Sequence, residues 1–343
     1  MKKKIPVSGA TGAMGCYLVP ELLSMGYAVD SVTPDHAVSD HPDLRYILTD
    51  ASKDENLFPL LQNEYAGIVD FLIYSDPAKT FLPRRNKLLE STGHYLFLSS
   101  YRVYADRDAV TTEESPRLLD VSTDKRFLAL QKGEYSLYKA LGEDILRKAA
   151  RRNYSIVRPA ITYSKRRFQP VTLEAPMFIR RIWAKKTVLL PKEALSVMGT
   201  MSRAGDVARM IARLLLNPAA FGETYTAATA EHHTRGEIAD YYRKLAGLSY
   251  EAIPKEDYIA LFAPQDDDRR FCVRAQPEYD RMFDRVMDNR KILNITGMKQ
   301  SELTPLYDGL KRELSGLPRD VEPLFPKSEI CDRMDKYIEK HNL

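Results

Sequence analysis

Cysteine is scarce in this chain: Cys16, Cys272 and Cys331 are the only three in 343 residues, far apart along it. They cannot form a disulfide framework or a cysteine-rich zinc site, and a reducing compartment is the natural expectation. Long hydrophobic runs are missing too. No stretch approaches the ~18 apolar residues of a membrane span, and the opening MKKKIPVSGATGAMG is broken by Pro6, Ser8 and three glycines before a signal-peptide core can form. A cytoplasmic protein is expected. Nor does one charge dominate: 51 Lys plus Arg against 47 Asp plus Glu leave +4. The basic pairs Arg151/Arg152, Arg166/Arg167, Arg180/Arg181 and Lys185/Lys186 are each followed by acidic or apolar stretches. That pattern is a mixed solvated surface and argues against a nucleic-acid partner. His232 and His233 adjoin one another instead of lying one helical turn apart, so no metal site is expected.

What is present is a chain with 44% hydrophobic residues, able to bury a core, and long enough for two parts of ~150 residues each. From residue 4 to about residue 165, β-rich runs alternate with helical stretches: Lys4 to Ser8, a helix from Met14 to Met25, then Ala28 to Thr33, Leu44 to Leu48, Ile68 to Tyr74, Tyr95 to Ser99 and Ser155 to Val157. Alternation of this kind predicts a doubly wound parallel sheet with helices on both faces, and the almost continuously apolar IVDFLIY and HYLFLS read as central strands. Pro6 sits awkwardly in the first strand because it cannot donate to a ladder. After Ile161 the rhythm changes. A helix near Met177 to Ala184, another over Asp206 to Leu216, and a third opened by the Thr234/Glu237 capping-box pattern and stopped near Gly247 make the remainder mostly helical. The division is therefore 1–165 for an α/β, Rossmann-type part and 166–343 for a smaller substrate-binding portion, with the chain free to cross back between them.

Three constellations carry chemistry. Gly9-Ala10-Thr11-Gly12-Ala13-Met14-Gly15 follows the first strand and opens a helix. Glycines there permit a tight turn, and the helix N-terminus offers free N–H groups to a pyrophosphate. Tyr135 and Lys139 are four residues apart in a predicted helix, hence on one face, while Leu137, Leu141 and Ile145 form the side expected to pack on the sheet. A free phenol titrates near ~10, and making one reactive at neutral pH takes about 4 kcal/mol, which an ammonium one turn away and a cationic nicotinamide would together supply. Ser99 and Ser100 lie just past a buried strand, where ligands of parallel sheets bind.

In this order the three elements resemble the extended short-chain dehydrogenase/reductase superfamily, in particular the NAD-dependent epimerase/dehydratase family. GATGAMG matches its glycine motif, SSYRVY its strand-end pattern, and Tyr135, Lys139 and Glu143 its Tyr-x-x-x-Lys helix. Thr49-Asp50, Ile156-Val157-Arg158-Pro159 and Gly205-Asp206-Val207-Ala208 are further matches, so the resemblance covers nearly the whole chain. It implies Tyr135 as general acid/base, Lys139 easing its ionisation and holding ribose hydroxyls, and Ser100, counted back from Val103, orienting the reacting oxygen. It further implies cofactor contacts from Gly9, Thr11, Gly12, Met14, Gly15, Asp50 at the adenine and Ser75 near a ribose. Hydride transfer to or from a hydroxyl-bearing carbon of a small molecule, a sugar or sugar nucleotide, would follow, in a protein that often dimerises.

The departures are informative. Where NAD-preferring relatives end the second strand in an acidic residue, this chain has Thr33-Pro34-Asp35, with Asp35 two residues late and no adjacent Arg or Lys for a 2′-phosphate. NAD is favoured and NADP left open. The asparagine and arginine that hold a diphosphate in sugar-nucleotide relatives are replaced by Ala160-Ile161-Thr162 and Gly199; Arg166, Arg167, Arg180 and Arg181 are other sources of charge. The reading from another class is a non-catalytic dinucleotide-sensing or RNA-binding protein on the same fold, from which the intact Ser100/Tyr135/Lys139 set separates an enzyme.

Overall fold

A computed structural model describes residues 2–265, 268–318 and 320–343. Its centre is a sheet of β1 (Lys4–Ser8), β2 (Ala28–Thr33), β3 (Leu44–Leu48), β4 (Ile68–Asp70), β5 (Tyr95–Leu98), β6 (Tyr154–Pro159) and a seventh strand, Glu223–Ala227. The spatial order is Glu223–Ala227, β6, β5, β4, β1, β2, β3, and every neighbouring pair is parallel. The chain winds outward in one direction from β1 to β3 and in the other from β4 to β6. The reversal between β1 and β4 leaves a crevice at the carboxyl ends of those strands.

One face of the sheet is covered by the helices Gly15–Ser24 and Ala204–Leu214, whose Leu18, Leu22, Val207 and Ile211 pack with Ile5, Val7 and Val29. The other face buries Phe81, Leu88, Tyr95, Phe97, Leu146 and Ile156 together. Each such side chain removed from water contributes about 1.5–3 kcal/mol. Pro6 is tolerated in β1 because the Lys4 and Ser8 carbonyls, of the same parity, accept from Ala66 and Phe71 on the β4 side, where registered pairing begins only at Val7↔Val69.

Two sequence expectations are corrected. β4 stops at Asp70 and does not reach Tyr74. The buried Asp70 carboxylate accepts from the Leu72 N–H at 2.9 Å, the Tyr74 hydroxyl at 2.7 Å and the Tyr95 hydroxyl at 2.6 Å, turning the chain out of the ladder. In the helix Tyr135–Arg147 the inward side carries Lys139, Gly142, Glu143 and Leu146; half-buried Ile145 packs against the core on this face as expected, while Leu141 is half-buried and lines a separate groove with Pro77 and Leu82. A Cβ at Gly142 would come within 2.8 Å of the Phe97 ring, so the helix approaches β5 too closely for Leu141 to be the packing surface.

Beyond residue 165 the helices Ala175–Trp183, Arg235–Ala246, Leu306–Ser315 and Glu329–His341 enclose a core containing Phe178, Tyr242, Leu310 and Met334. The Thr234/Glu237 capping box is present, and Gly247 ends that helix with φ +78°, a left-handed conformation suited to glycine. This part of the chain also returns to the sheet, supplying the strand Glu223–Ala227 and the helix Ala204–Leu214. Among the described residues no helix is long and apolar enough to cross a membrane.

Candidate active site

At the end of β5 two adjacent serines diverge. Ser99 donates its hydroxyl to Glu143 Oε1 at 2.5 Å. Ser100 caps the short turn Tyr101–Val103, its Oγ accepting from the Arg102 N–H at 3.2 Å, and its hydroxyl proton has no acceptor among the described residues. Both serines line the same cavity, but the Ser99 proton is committed to Glu143.

Tyr135 opens the helix Tyr135–Arg147, whose N-terminus is capped by Glu134 through the Ser136 N–H. The phenol ring is half-buried, with the Arg102 guanidinium 5.2 Å and the Lys139 ammonium 5.7 Å from its centroid. Lys139 is only 2% exposed, yet no carboxylate lies within ion-pair distance among the described residues. Its ammonium donates to the Leu98 carbonyl at 2.6 Å and lies 3.5 Å from the Leu72 carbonyl. An ammonium has three N–H donors, so two carbonyl contacts leave donor capacity for a further partner. One turn on, Glu143 is fully buried and receives Arg158 through two bonds at 2.6 and 2.7 Å, with Arg117 and Arg147 each at 3.2 Å. Burial alone would raise this carboxyl, but Arg158 and Arg147 outweigh it and hold its pKa at about 2.

These groups converge on a cavity of about 290 Å³ at the carboxyl ends of the strands. Met14 from the glycine turn, Ile73 beyond β4, Ser100, Tyr135, and Ala160 to Thr162 beyond β6 all line it. On the other side of the glycine turn, Thr11, Gly12 and Ala13 line a second, open cavity of about 550 Å³ with Asp35, His36 and Arg166. Gly9 adopts φ +72°, and a Cβ at Gly15 would overlap the Ala10 carbonyl, so backbone is drawn close to both cavities. Met14 caps the helix Gly15–Ser24 without a side-chain bond, and no acidic residue stands in its first turn. The donor set suits a dinucleotide: an uncompensated helix N-terminus for a pyrophosphate, a carboxylate at one end and a buried ammonium at the other.

Asp35 reaches the glycine turn, its Oδ2 accepting from the Thr11 hydroxyl at 2.6 Å. Five other expected contacts, Gly9, Gly15, Asp50, Ser75 and Lys139, line neither cavity. Asp50 closes a local turn by accepting from the Ser52 N–H at 3.0 Å, and Ser75 lies exposed beyond the truncated β4. Of the four arginines weighed as sources of charge, Arg166 donates to the Thr11 carbonyl at 2.5 Å and Arg167 lines the inner cavity. Arg181 is tied to the Thr187 and Cys331 carbonyls, and Arg180 to Glu322 and Phe325, in the outer helices. Residues that sequence reasoning passed over also line the inner cavity: Tyr101, Arg102, Gln276 and Arg281. The first two occupy the variable positions inside SSYRVY. The last two arrive from more than 170 residues away, and no spacing announces them.

No family model matches the sequence, and neither does any curated protein. Solved structures do match. The chain is similar to dTDP-glucose 4,6-dehydratase from Bacillus anthracis, in complex with NAD, with TM-score 0.68 and 16% identity over 94% of this chain and 99% of that one. It is also similar to UDP-glucose 4-epimerase from Thermotoga maritima with UDP-glucose, with TM-score 0.65 and 16% identity over 91% and 97%. UDP-glucuronic acid 4-epimerase from Bacillus cereus, bound to UDP-glucuronic acid and NAD, gives TM-score 0.64 and 16% identity over 91% and 98%. These likenesses establish a shared Rossmann-type fold over nearly the full length of each chain.

Proposed function

We propose that the protein is an NAD-dependent oxidoreductase or epimerase/dehydratase acting on a hydroxyl-bearing carbon of a sugar or sugar nucleotide. One observation carries the reading: Met14 of the glycine turn, Ser100 and Tyr135 share the wall of one cavity at the topological reversal of the sheet. The three solved relatives named above, two with NAD and two with a nucleotide sugar, support it.

Bound nicotinamide supplies the hydride acceptor or donor. Tyr135 takes the proton of the substrate hydroxyl as hydride leaves the same carbon, and gives it back in the reverse direction. Ser100 orients the oxygen, since its proton is uncommitted. Lys139 turns its remaining donor capacity to ribose hydroxyls. Asp35, at the outer end, accepts from the adenosine ribose and disfavours a 2′-phosphate, which selects NAD. Oxidation to a carbonyl is the step common to simple oxidation, epimerisation and loss of water. An intracellular homodimer completes the proposal, with Cys16, Cys272 and Cys331 as free thiols.

The test compares wild type with Tyr135→Phe. NAD binding, measured by calorimetry, is expected to survive, while turnover or redox cycling of bound cofactor collapses. Equal activity in the two proteins would overturn the assignment. The masses of small molecules retained through native purification report the cofactor directly.

A further inference from the structure

Around Asp280 the fold buries more positive charge than it pairs. Arg235, Arg281 and Arg285 are 3%, 1% and 1% exposed, and Arg102 closes the cluster from the cavity side. Asp280 contacts Arg281, lies 3.3 Å from Arg102 Nε and 3.6 Å from Arg285 Nε, and Glu134 accepts from Arg102 at 2.8 Å. Two carboxylates thus face four guanidinium groups, with Asp106 and Asp284 acting only from beyond ion-pair distance. Arg102 Nε, Arg285 Nε and Arg235 Nη2 are buried and make no hydrogen bond. Burial, with mutual repulsion, pushes Arg235, Arg281 and Arg285 each down to about 10, so all three remain charged at neutral pH. Burial alone would raise the Tyr101 phenol, but Arg281, Arg235, Arg285 and Arg102 together outweigh it and hold the group below its ordinary value. An uncompensated buried charge is costly, and a cluster with surplus positive charge that reaches a cavity through Arg102 and Arg281 is preorganised for an anion.

The cluster opens onto the cavity that holds Ser100 and Tyr135. Tyr101, Arg102 and Arg281 line it; the other charged lining residues are Arg167 and Glu174, which pair with each other at 3.5 Å. The Tyr101 hydroxyl accepts from Arg281 at 2.5 Å and donates its proton to Asp280 at 3.1 Å, which ties it into the cluster. Since the Arg102 guanidinium is 5.2 Å from the centroid of the Tyr135 ring, an anion held there lies close to the Tyr135 phenol.

We propose that this wall of the cavity is a subsite for an oxyanion, a carboxylate or phosphate carried on the reacting moiety of the substrate, with Arg102 and Arg281 as its cationic partners. A planar guanidinium meets such a group through two parallel N–H bonds. The inference rests on the reading of the cavity as the active site and narrows its substrate to an anionic one.

The experiment measures binding of glucose, glucuronate and glucose 6-phosphate to the full-length protein by calorimetry at low ionic strength, with and without saturating NAD. The two anions are expected to bind at least tenfold more tightly than glucose, to weaken as salt is added, and to lose that advantage in Arg102→Gln. The stronger of the two anions identifies the group as carboxylate or phosphate. Arg102→Lys, which keeps the charge and loses the fork, is expected to fall between, and it serves if Arg102→Gln does not fold. Equal affinity for glucose and both anions, or unchanged anion binding in a folded Arg102→Gln, overturns the subsite. NAD binding and turnover of the wild-type protein separate the two proposals. Anion binding that survives in a protein with no NAD affinity leaves the subsite standing and removes the enzymatic reading; NAD-dependent turnover of neutral sugars, with no anion preference, does the reverse.

Discussion

Ser99 donates its hydroxyl to Glu143 at 2.5 Å and thereby joins the end of β5 to the underside of the helix that carries Tyr135 and Lys139. The bond is part of a buried ion-pair network, for the same carboxylate receives Arg158, Arg117 and Arg147. Positioning of the two reactive side chains thus depends on a charge that neither of them touches.

Removing that charge leaves three guanidinium groups facing a neutral partner. Glu143→Gln is expected to cost about 3–5 kcal/mol of stability, read as a lower denaturant midpoint, with Arg158 the most exposed to the loss. The wild-type carboxyl is held at about 2 against an ordinary 4.5. Its contribution is therefore complete above about pH 4.5 and is lost as pH falls toward 2. A Glu143→Gln protein should lack this acid-induced decline; an unchanged decline in the variant counts against the network.

His94 defines a second and higher pH window. Burial lowers its pKa from 6.5 to about 4. Its Nδ1 accepts from the Leu216 N–H and Nε2 bonds Ser155, both at 2.9 Å, so a proton on Nδ1 displaces the Leu216 contact. Because the folded value is the lower one, the neutral ring stabilises the fold fully above pH 6.5, and the effect fades as pH drops toward 4. The total is roughly 3 kcal/mol. His94→Gln should be less stable than wild type at pH 8 but show a flatter stability profile between pH 6.5 and 4, measured by urea denaturation.

Asp35 is expected to set cofactor choice. Its carboxylate stands at the glycine turn on the Thr11 hydroxyl, with Arg166 on the Thr11 carbonyl. Asp35→Ala removes charge-assisted bonds worth about 1.5–3 kcal/mol, so the ratio of NAD to NADP affinity should fall by roughly ten- to a hundredfold. A ratio that does not move means the ribose is held elsewhere.

Lys139→Met separates function from stability. The ammonium is buried on the Leu98 carbonyl without a carboxylate, so an apolar side chain of similar length relieves a desolvated charge. Thermal stability should hold or rise, while turnover falls by at least ~100-fold and NAD binding weakens. Full activity in this variant would remove the lysine from the mechanism.

Much of the scaffold is local in origin. β1, β2 and β3 begin and end where their own residues predict, and the glycine turn and the Thr234/Glu237 capping box need only a few consecutive positions. Tyr135 and Lys139 lie on one side of their helix because helix geometry puts i and i+4 together; Tyr135 lines the cavity, and the Lys139 ammonium lies 5.7 Å from the centroid of its ring. Contacts between distant segments were legible only in three dimensions. β4 is cut short by Tyr95, which reaches across from the next strand to Asp70; Leu141 turns away from the sheet because Phe97 occupies the space beside Gly142. Ser99 and Ser100 are equivalent as letters and differ only because Glu143 captures one of them. Arg166 at the glycine turn and Arg281 beside Tyr101 come from a turn and from the short helical segment Pro277–Arg281, whose destinations no periodicity encodes. Periodicity and turn chemistry depend on neighbours within about one helical turn, whereas a site assembled from several strand ends depends on where folding brings remote charges together.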